Sequence, residues 1–212
     1  MNFLEIINKC LLELNYRPVN SFSELVKNDH KKIMTILNVI NQEICCSNNW
    51  NFLLRKTTVE IPANTTEINN TINGRILYLF VQGKKYQYKD DTESFLTDNA
   101  DDNTYTQFAD KLLFKKSKNK RIAQIIYYTN NCVIDAQGNE KSEMTEPTDS
   151  SIIPIPFDQQ LLTYGTCLRL KANPSYIRFS YWMNMYKEAL ANLRSTSSIN
   201  AQDVPIVRLF RG

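Results

Sequence analysis

The stretch that most constrains this chain runs from Ile153 to Arg194, IPIPFDQQLLTYGTCLRLKANPSYIRFSYWMNMYKEALANLR. Pro154 and Pro156 stiffen its entry. From Phe157 the apolar positions recur at helical spacing, so that Phe157, Leu161, Tyr164, Gly165 and Leu168 share one narrow face at about 100° per residue. A glycine in that face lets another backbone come close, and Asn173-Pro174 punctuates the pattern. In the helix that follows, Phe179, Trp182, Met183, Met185, Tyr186, Ala189, Leu190 and Leu193 fill an arc of roughly 160°, wider than the stripe of about 100° usual for a surface helix. An arc this broad needs cover on more than one side. Either this is a central core helix, or part of the arc meets another subunit, with Phe179, Trp182, Met183, Tyr186 and Leu190 as the candidate residues.

The other end of the chain is also helical. Asn2-Phe-Leu-Glu5 has the shape of a capping box, and Ile6, Ile7, Cys10, Leu11 and Leu14 follow at helical spacing until Pro18 restricts what precedes it. Ser21-Phe-Ser-Glu24 offers a second capping box. From there Val26, Ile33, Ile36, Leu37, Ile40 and Ile44 predict an amphipathic helix ending about Ser47-Asn-Asn, with His30 at the edge of its stripe as a packing residue. At Trp50 the period changes to two. Residues 50–62, Ile76–Val81, Tyr86–Tyr88, Leu112–Phe114 and Ile122–Thr129 read as strands, Gln82-Gly83 as a hairpin turn, and the polar residues 135–151 as a loop or flap. The fold class is therefore α+β. A helical bundle is built from residues 1–56 and 152–195, with a β-rich insertion at 57–151 and an extended C-terminal arm at 196–212.

The charges of the insertion are segregated. Asp90, Asp91, Glu93, Asp98, Asp101 and Asp102 form an acidic block; Lys111, Lys115, Lys116, Lys118, Lys120 and Arg121 form a basic one. Solvated loops and a guarded strand edge account for both blocks. So does pairing of opposite blocks between neighbouring copies in a ring, and a basic strand at 111–121 can also touch phosphates. The last residues are too apolar for a free tail: Val204, Ile206, Val207, Leu209 and Phe210 surround Pro205. They either fold back on their own domain or form an arm reaching up to roughly 55 Å, at about 3.3 Å per residue, that docks on another chain.

Chemistry has little to stand on. There is no nucleophile elbow, glycine-rich phosphate loop or H-E-x-x-H, and the five cysteines and single histidine have no zinc spacing. The odd cysteine count argues against a disulfide framework. A net charge of +3 is too mild to announce a nucleic-acid binder, and 42% hydrophobic residues include no run of the ~18 a membrane span needs. The opening MNFLEIINKC lacks the marks of a signal peptide, so none is expected. No catalytic residue, metal or cofactor is expected. An assembly role fits better than catalysis.

Both ends of the chain carry a resemblance. Leu11-Leu-Glu-Leu-Asn-Tyr-Arg-Pro-Val-Asn-Ser-Phe-Ser-Glu-Leu25 is similar to the opening of the head-to-tail adaptor proteins of short-tailed bacteriophages, the tail tubular protein A-like and tail accessory factor-like family. In these, a first helix ends in a short Pro-Val turn before a longer one. Ile40-Asn-Gln-Glu-Ile-Cys-Cys-Ser-Asn-Asn-Trp-Asn-Phe52 resembles their helix–turn–Trp–strand passage. The Ile155-Pro-Phe entry and the late helix ending Tyr186-Lys-Glu-Ala-Leu-Ala-Asn-Leu-Arg194 fit their C-terminal half. The resemblance implies a virion protein of the neck, assembled in the host cytoplasm as a homo-oligomeric ring, typically of twelve copies. Such a ring sits beneath the portal protein and joins it to downstream tail or nozzle proteins, with DNA passing transiently through the lumen and no membrane involved. By position, Val204, Pro205, Ile206, Val207, Arg208, Leu209, Phe210 and Arg211 would be the portal-binding arm. The runner-up is a nucleic-acid-binding module using residues 111–121.

Overall fold

The computed structural model describes residues 1–197. In chain order these form helix α1 (Phe3–Glu13), a 3-10 turn (Phe22–Glu24), helix α2 (Asn28–Cys46), a second 3-10 turn (Asn51–Leu53) and strands β1 (Leu54–Ile61), β2 (Glu67–Asn69), β3 (Gly74–Val81) and β4 (Lys84–Tyr88). The short helix α3 (Thr92–Leu96) precedes β5 (Thr104–Phe108), β6 (Lys111–Phe114), β7 (Arg121–Thr129), β8 (Val133–Ile134), β9 (Glu140–Lys141) and β10 (Ser150–Ser151). Helices α4 (Phe157–Leu170) and α5 (Phe179–Ser197) follow. The fold is mixed α+β. The chain divides into two compact units: Met1–Leu53 with the chain from Asn130 onward, and Leu54–Thr129. The expected portal-binding arm, Val204–Arg211, lies outside the described residues.

In the helical unit α1 starts as its sequence dictates. Asn2 Oδ1 accepts from the Glu5 amide at 2.9 Å and Glu5 Oε2 accepts from the Asn2 amide at 3.0 Å, which satisfies two of the donors a helix start leaves orphaned. Phe3, Ile6, Ile7, Cys10 and Leu11 are buried. Helix α4 packs against α1, α2 and α5. Gly165 is the point of closest approach, but to side chains rather than to a backbone: a Cβ there would sit 3.0 Å from the Tyr186 ring and 3.2 Å from Ile40 Cγ2.

Two local expectations are corrected. The Ser21–Glu24 box does not start α2. Ser21 Oγ donates to Glu24 Oε1, which also takes the Asn20 amide, so the motif closes on itself as a 3-10 turn. Helix α2 then begins at Asn28 without a side-chain cap, and Val26, counted in its stripe, is 70% exposed. The stretch 135–151 is not a flap. β8 pairs with β9 and β10 in a small sheet, and Asp149, 1% exposed, gathers the connection. Its Oδ2 accepts from the amides of Thr145 (2.7 Å) and Glu146 (2.8 Å) and from Lys141 Nζ (2.6 Å). Burial alone pushes this carboxyl's pKa up, but the hydrogen bonds from Glu146, Lys141 and Thr145 outweigh it and hold the group below the usual carboxylate range.

In the other unit a curled seven-stranded sheet runs β1-β7-β3-β4-β5-β6-β2, antiparallel except between β4 and β5. The curl lets Ile61, Leu79, Val81, Ala123 and Ile125 from one half share a core with Tyr105, Leu112 and Phe114 from the other. The first strand starts four residues later than the period change at Trp50 suggests. Trp50 turns inward instead, fully buried, with Nε1 donating to the Ile44 carbonyl at 2.6 Å.

Candidate functional site

Helix α5 holds the candidate interface residues, and the structure sorts them. Trp182 is fully buried; its Nε1 donates to Glu13 Oε2 at 2.8 Å and its ring stacks on Tyr176 at 5.3 Å. With no exposed surface it serves the interior, alongside Ala189 and Leu193. Tyr186 is half-buried against the Gly165 notch, and burial raises its phenol pKa. Phe179, Met183 and Leu190 are half-buried along one line of the helix. On the opposite flank of the helix Tyr181 is 50% exposed and, in the turn before the helix, Ile177 is 92% exposed. This end of α5 is fixed: Arg178 donates to the Glu13 carbonyl at 3.1 Å, and Tyr181 meets Tyr164 edge-on at 5.7 Å. Burial, with the Tyr181 hydroxyl close by, pushes the Tyr164 phenol well up.

The charge blocks touch within the chain at one pair, and their other paired members find partners outside the opposite block. Lys115 pairs with Asp102 at 2.9 Å, Lys89 with Asp101, Lys111 with Glu67 and Lys120 with Glu60 at 2.7 Å. Arg121, read as part of the basic face, is 8% exposed and donates to the Lys115 carbonyl at 2.7 Å and the Tyr86 hydroxyl at 3.3 Å. Of the stretch 111–121, Lys116 and Lys118 are the exposed cations without an ion pair among the described residues, and Arg121 has neutral partners instead. Most of these pairs are exposed and contribute about 0–1 kcal/mol each, so they fix local geometry more than stability.

Two of the surface hollows bear on function. One, of about 480 Å³, lies beside the start of α2 and is lined by Tyr16, Arg17, Val19, Glu24, Lys27 and His30, among others. Its rim is pinned by Asn8, which exchanges two 2.8 Å hydrogen bonds with the Val19 backbone. His30 is 7% exposed with Nδ1 unpartnered, deeper than an edge-of-stripe residue, but the lining mixes two cations with Glu24 and Asp29 and offers no field of one sign.

The second hollow, about 720 Å³, was not visible in the sequence. β3 pairs along its length with β7, but with β4 only from Leu79 to Val81. β4 then leaves it and pairs in parallel with β5 through Gln87↔Thr104 and Tyr88↔Tyr105. The sheet forks, and the fork is lined by Arg75, Tyr78, Lys85, Tyr86, Tyr88 and Tyr105, among others, with no carboxylate in the lining. Desolvation raises the Tyr105 phenol pKa. The only advance signal was the clustering of Tyr78, Tyr86 and Tyr88 around Lys84-Lys85, which alternation alone explains.

Among the described residues no group of three His, Cys, Asp or Glu side chains is placed to hold a metal ion, and no helix is long and apolar enough to cross a membrane. No protein-family model matches the chain, and no curated protein matches its sequence.

Proposed function

We propose that this protein is a structural virion component, the head-to-tail connector that forms a ring on the portal and joins capsid to tail. The helical bundle drawn from both ends of the chain is its ring-forming body, the β-rich unit its insertion, and Val204–Arg211 the arm that docks on the portal. The observation that carries this reading is the flank of α5. Phe179, Met183 and Leu190 stay half-covered along one line of a helix otherwise clamped to α1 and α4. Apolar surface left on a rigid helix is what a neighbouring copy covers, at about 25 cal/mol for each Å² removed from water.

The test is assembly. The intact protein mixed with portal should give stacked rings in negative-stain images. The Leu190→Asp variant should keep its helical circular dichroism yet stay monomeric, and a chain ending at Gln202 should fold but fail to join portal rings. Unchanged association by both variants would overturn the reading.

A further inference from the structure

The fork between β3 and β4 needs an occupant of defined chemistry. An open sheet edge invites strand addition, but this one is guarded. The β3–β7 register shifts between Ile76 and Tyr78, a bulge within the open segment, and Lys84 and Lys85 stand at the start of the facing strand. Both are devices that discourage another strand from pairing. What the hollow offers instead is rings and cations. Tyr78 is 40% and Tyr88 54% exposed. Lys85 Nζ lies 4.7 Å from the Tyr78 ring centroid and Arg75 5.2 Å from that of Tyr128. Tyr88 is held upright by an edge-on contact with Tyr105 at 5.6 Å, which preorganises its exposed face.

Lys85, with no carboxylate in the lining beside it, calls for an anion, and exposed phenol faces call for flat rings. One polymer repeats both groups at a short interval. We infer that the fork between β3 and β4 binds single-stranded nucleic acid, with bases stacked on Tyr78 and Tyr88 and a backbone phosphate on Lys85. A hollow of about 720 Å³ is within the roughly 300–1,000 Å³ of pockets that enclose small-molecule-sized groups. The rigid stack of a duplex does not offer its bases to such a slot. This site is separate from the basic stretch 111–121, where Lys111, Lys115 and Lys120 are ion-paired and Arg121 is buried, and it does not depend on the connector reading.

The experiment is fluorescence anisotropy of the full-length protein with fluorescein-labelled oligo(dT), the matching duplex, and polyglutamate as competitor, in about 50 to 200 mM salt. Oligo(dT) should bind more tightly than duplex and resist polyglutamate. Tyr88→Ala should weaken it about five- to a hundredfold, with Tyr88→Phe restoring it. Lys85→Ala should reduce the slope of log affinity against log salt by about 0.7. The double variant Lys116→Ala, Lys118→Ala is expected to change affinity less than Tyr88→Ala does. No binding at about 50 mM salt overturns the inference. So does displacement by polyglutamate as effective as by unlabelled oligo(dT), which would reassign the fork to an acidic peptide. Loss on removing Lys116 and Lys118 but not Tyr88 overturns it too.

Discussion

Asp149 is the residue whose removal should do most damage for its size. Its buried carboxylate holds the 141–150 connection together through three hydrogen bonds. The connection in turn receives the start of α1: the Phe3 amide donates to the Asp149 carbonyl at 2.6 Å and the Leu4 amide to the Pro147 carbonyl at 3.3 Å. Asp149→Ala leaves two amides and the Lys141 ammonium without their acceptor, at a cost of about 3–5 kcal/mol, as when one partner of a buried pair is removed. Asp149→Asn keeps one oxygen for the amides but loses the charge and buries an NH2 where Oδ1 already has no partner, costing about 1–3 kcal/mol. Amide hydrogen exchange reads this locally. At neutral pH, exchange in residues 1–14 and 130–152 should accelerate roughly a hundred- to a few thousandfold in Asp149→Ala, with the strands of the other unit unchanged. The pH dependence follows from the sign of the shift. The folded pKa is lowered, so the stabilisation is complete above the unfolded value near 3.9 and is lost as pH falls through the folded value. The gap between wild type and Asp149→Asn should be constant from about pH 7 to 5 and narrow below about pH 4. A gap that persists undiminished in acid, or an unchanged α1, would refute the reasoning.

Both tryptophans, Trp50 and Trp182, lie in the helical unit, so their fluorescence reports urea unfolding of that unit alone. Gly165→Val should lower the midpoint by about 1–3 kcal/mol of stability, because its side chain meets the Tyr186 ring and Ile40, whereas Gly165→Ala should stay within about 1 kcal/mol as helix propensity offsets crowding. Asn41, fully buried, donates to the Cys132 carbonyl at 3.0 Å and accepts from Ser151 Oγ at 2.6 Å. Asn41→Ala should cost about 2–3 kcal/mol on the same trace, and a midpoint equal to wild type would mean that these bonds contribute nothing net.

The elements that can be read from the chain are those whose signal is local. Ile33, Leu37, Ile40 and Ile44 are buried at helical spacing, and Ile76–Val81 and Ile122–Thr129 fall inside β3 and β7. What escapes is whatever depends on a partner remote in sequence. Polar composition made 135–151 look like a loop, because nothing local reveals that Asp149 will be dehydrated among amides. The Ser21–Glu24 box has the right letters for a helix start, yet its hydrogen bonds are satisfied by a single turn. The apolar arc of α5 spans roughly 160° in the sequence, yet its buried apolar members, Trp182, Ala189 and Leu193, hold a narrow stripe; sequence alone does not tell that Trp182 donates its indole N–H to Glu13 while Phe179 and Leu190 are left half-covered.

The acidic block has a structural reason that also explains the fork. β3 and β4 are joined by the two-residue turn Gln82-Gly83, with φ of +50° and +78°, the left-handed pair that matches strand twist in a tight hairpin. A hairpin so short forces pairing at its base and nothing beyond it. After Tyr86 the chain pairs instead with β5, and it does so in parallel, which needs a crossover of a dozen or so residues, commonly helical. Residues 89–103 are that crossover. Helix α3, capped by Asp91 and anchored by buried Phe95 against Ala100 and Leu113, sits in its middle, and the Lys89–Asp101 pair closes its base. Its carboxylates keep an excursion over the surface solvated and paired to its own strands. Shorten the crossover and β4 must return to β3, closing the fork; the acidic loop and the tyrosine-lined hollow are therefore two consequences of one change of partner.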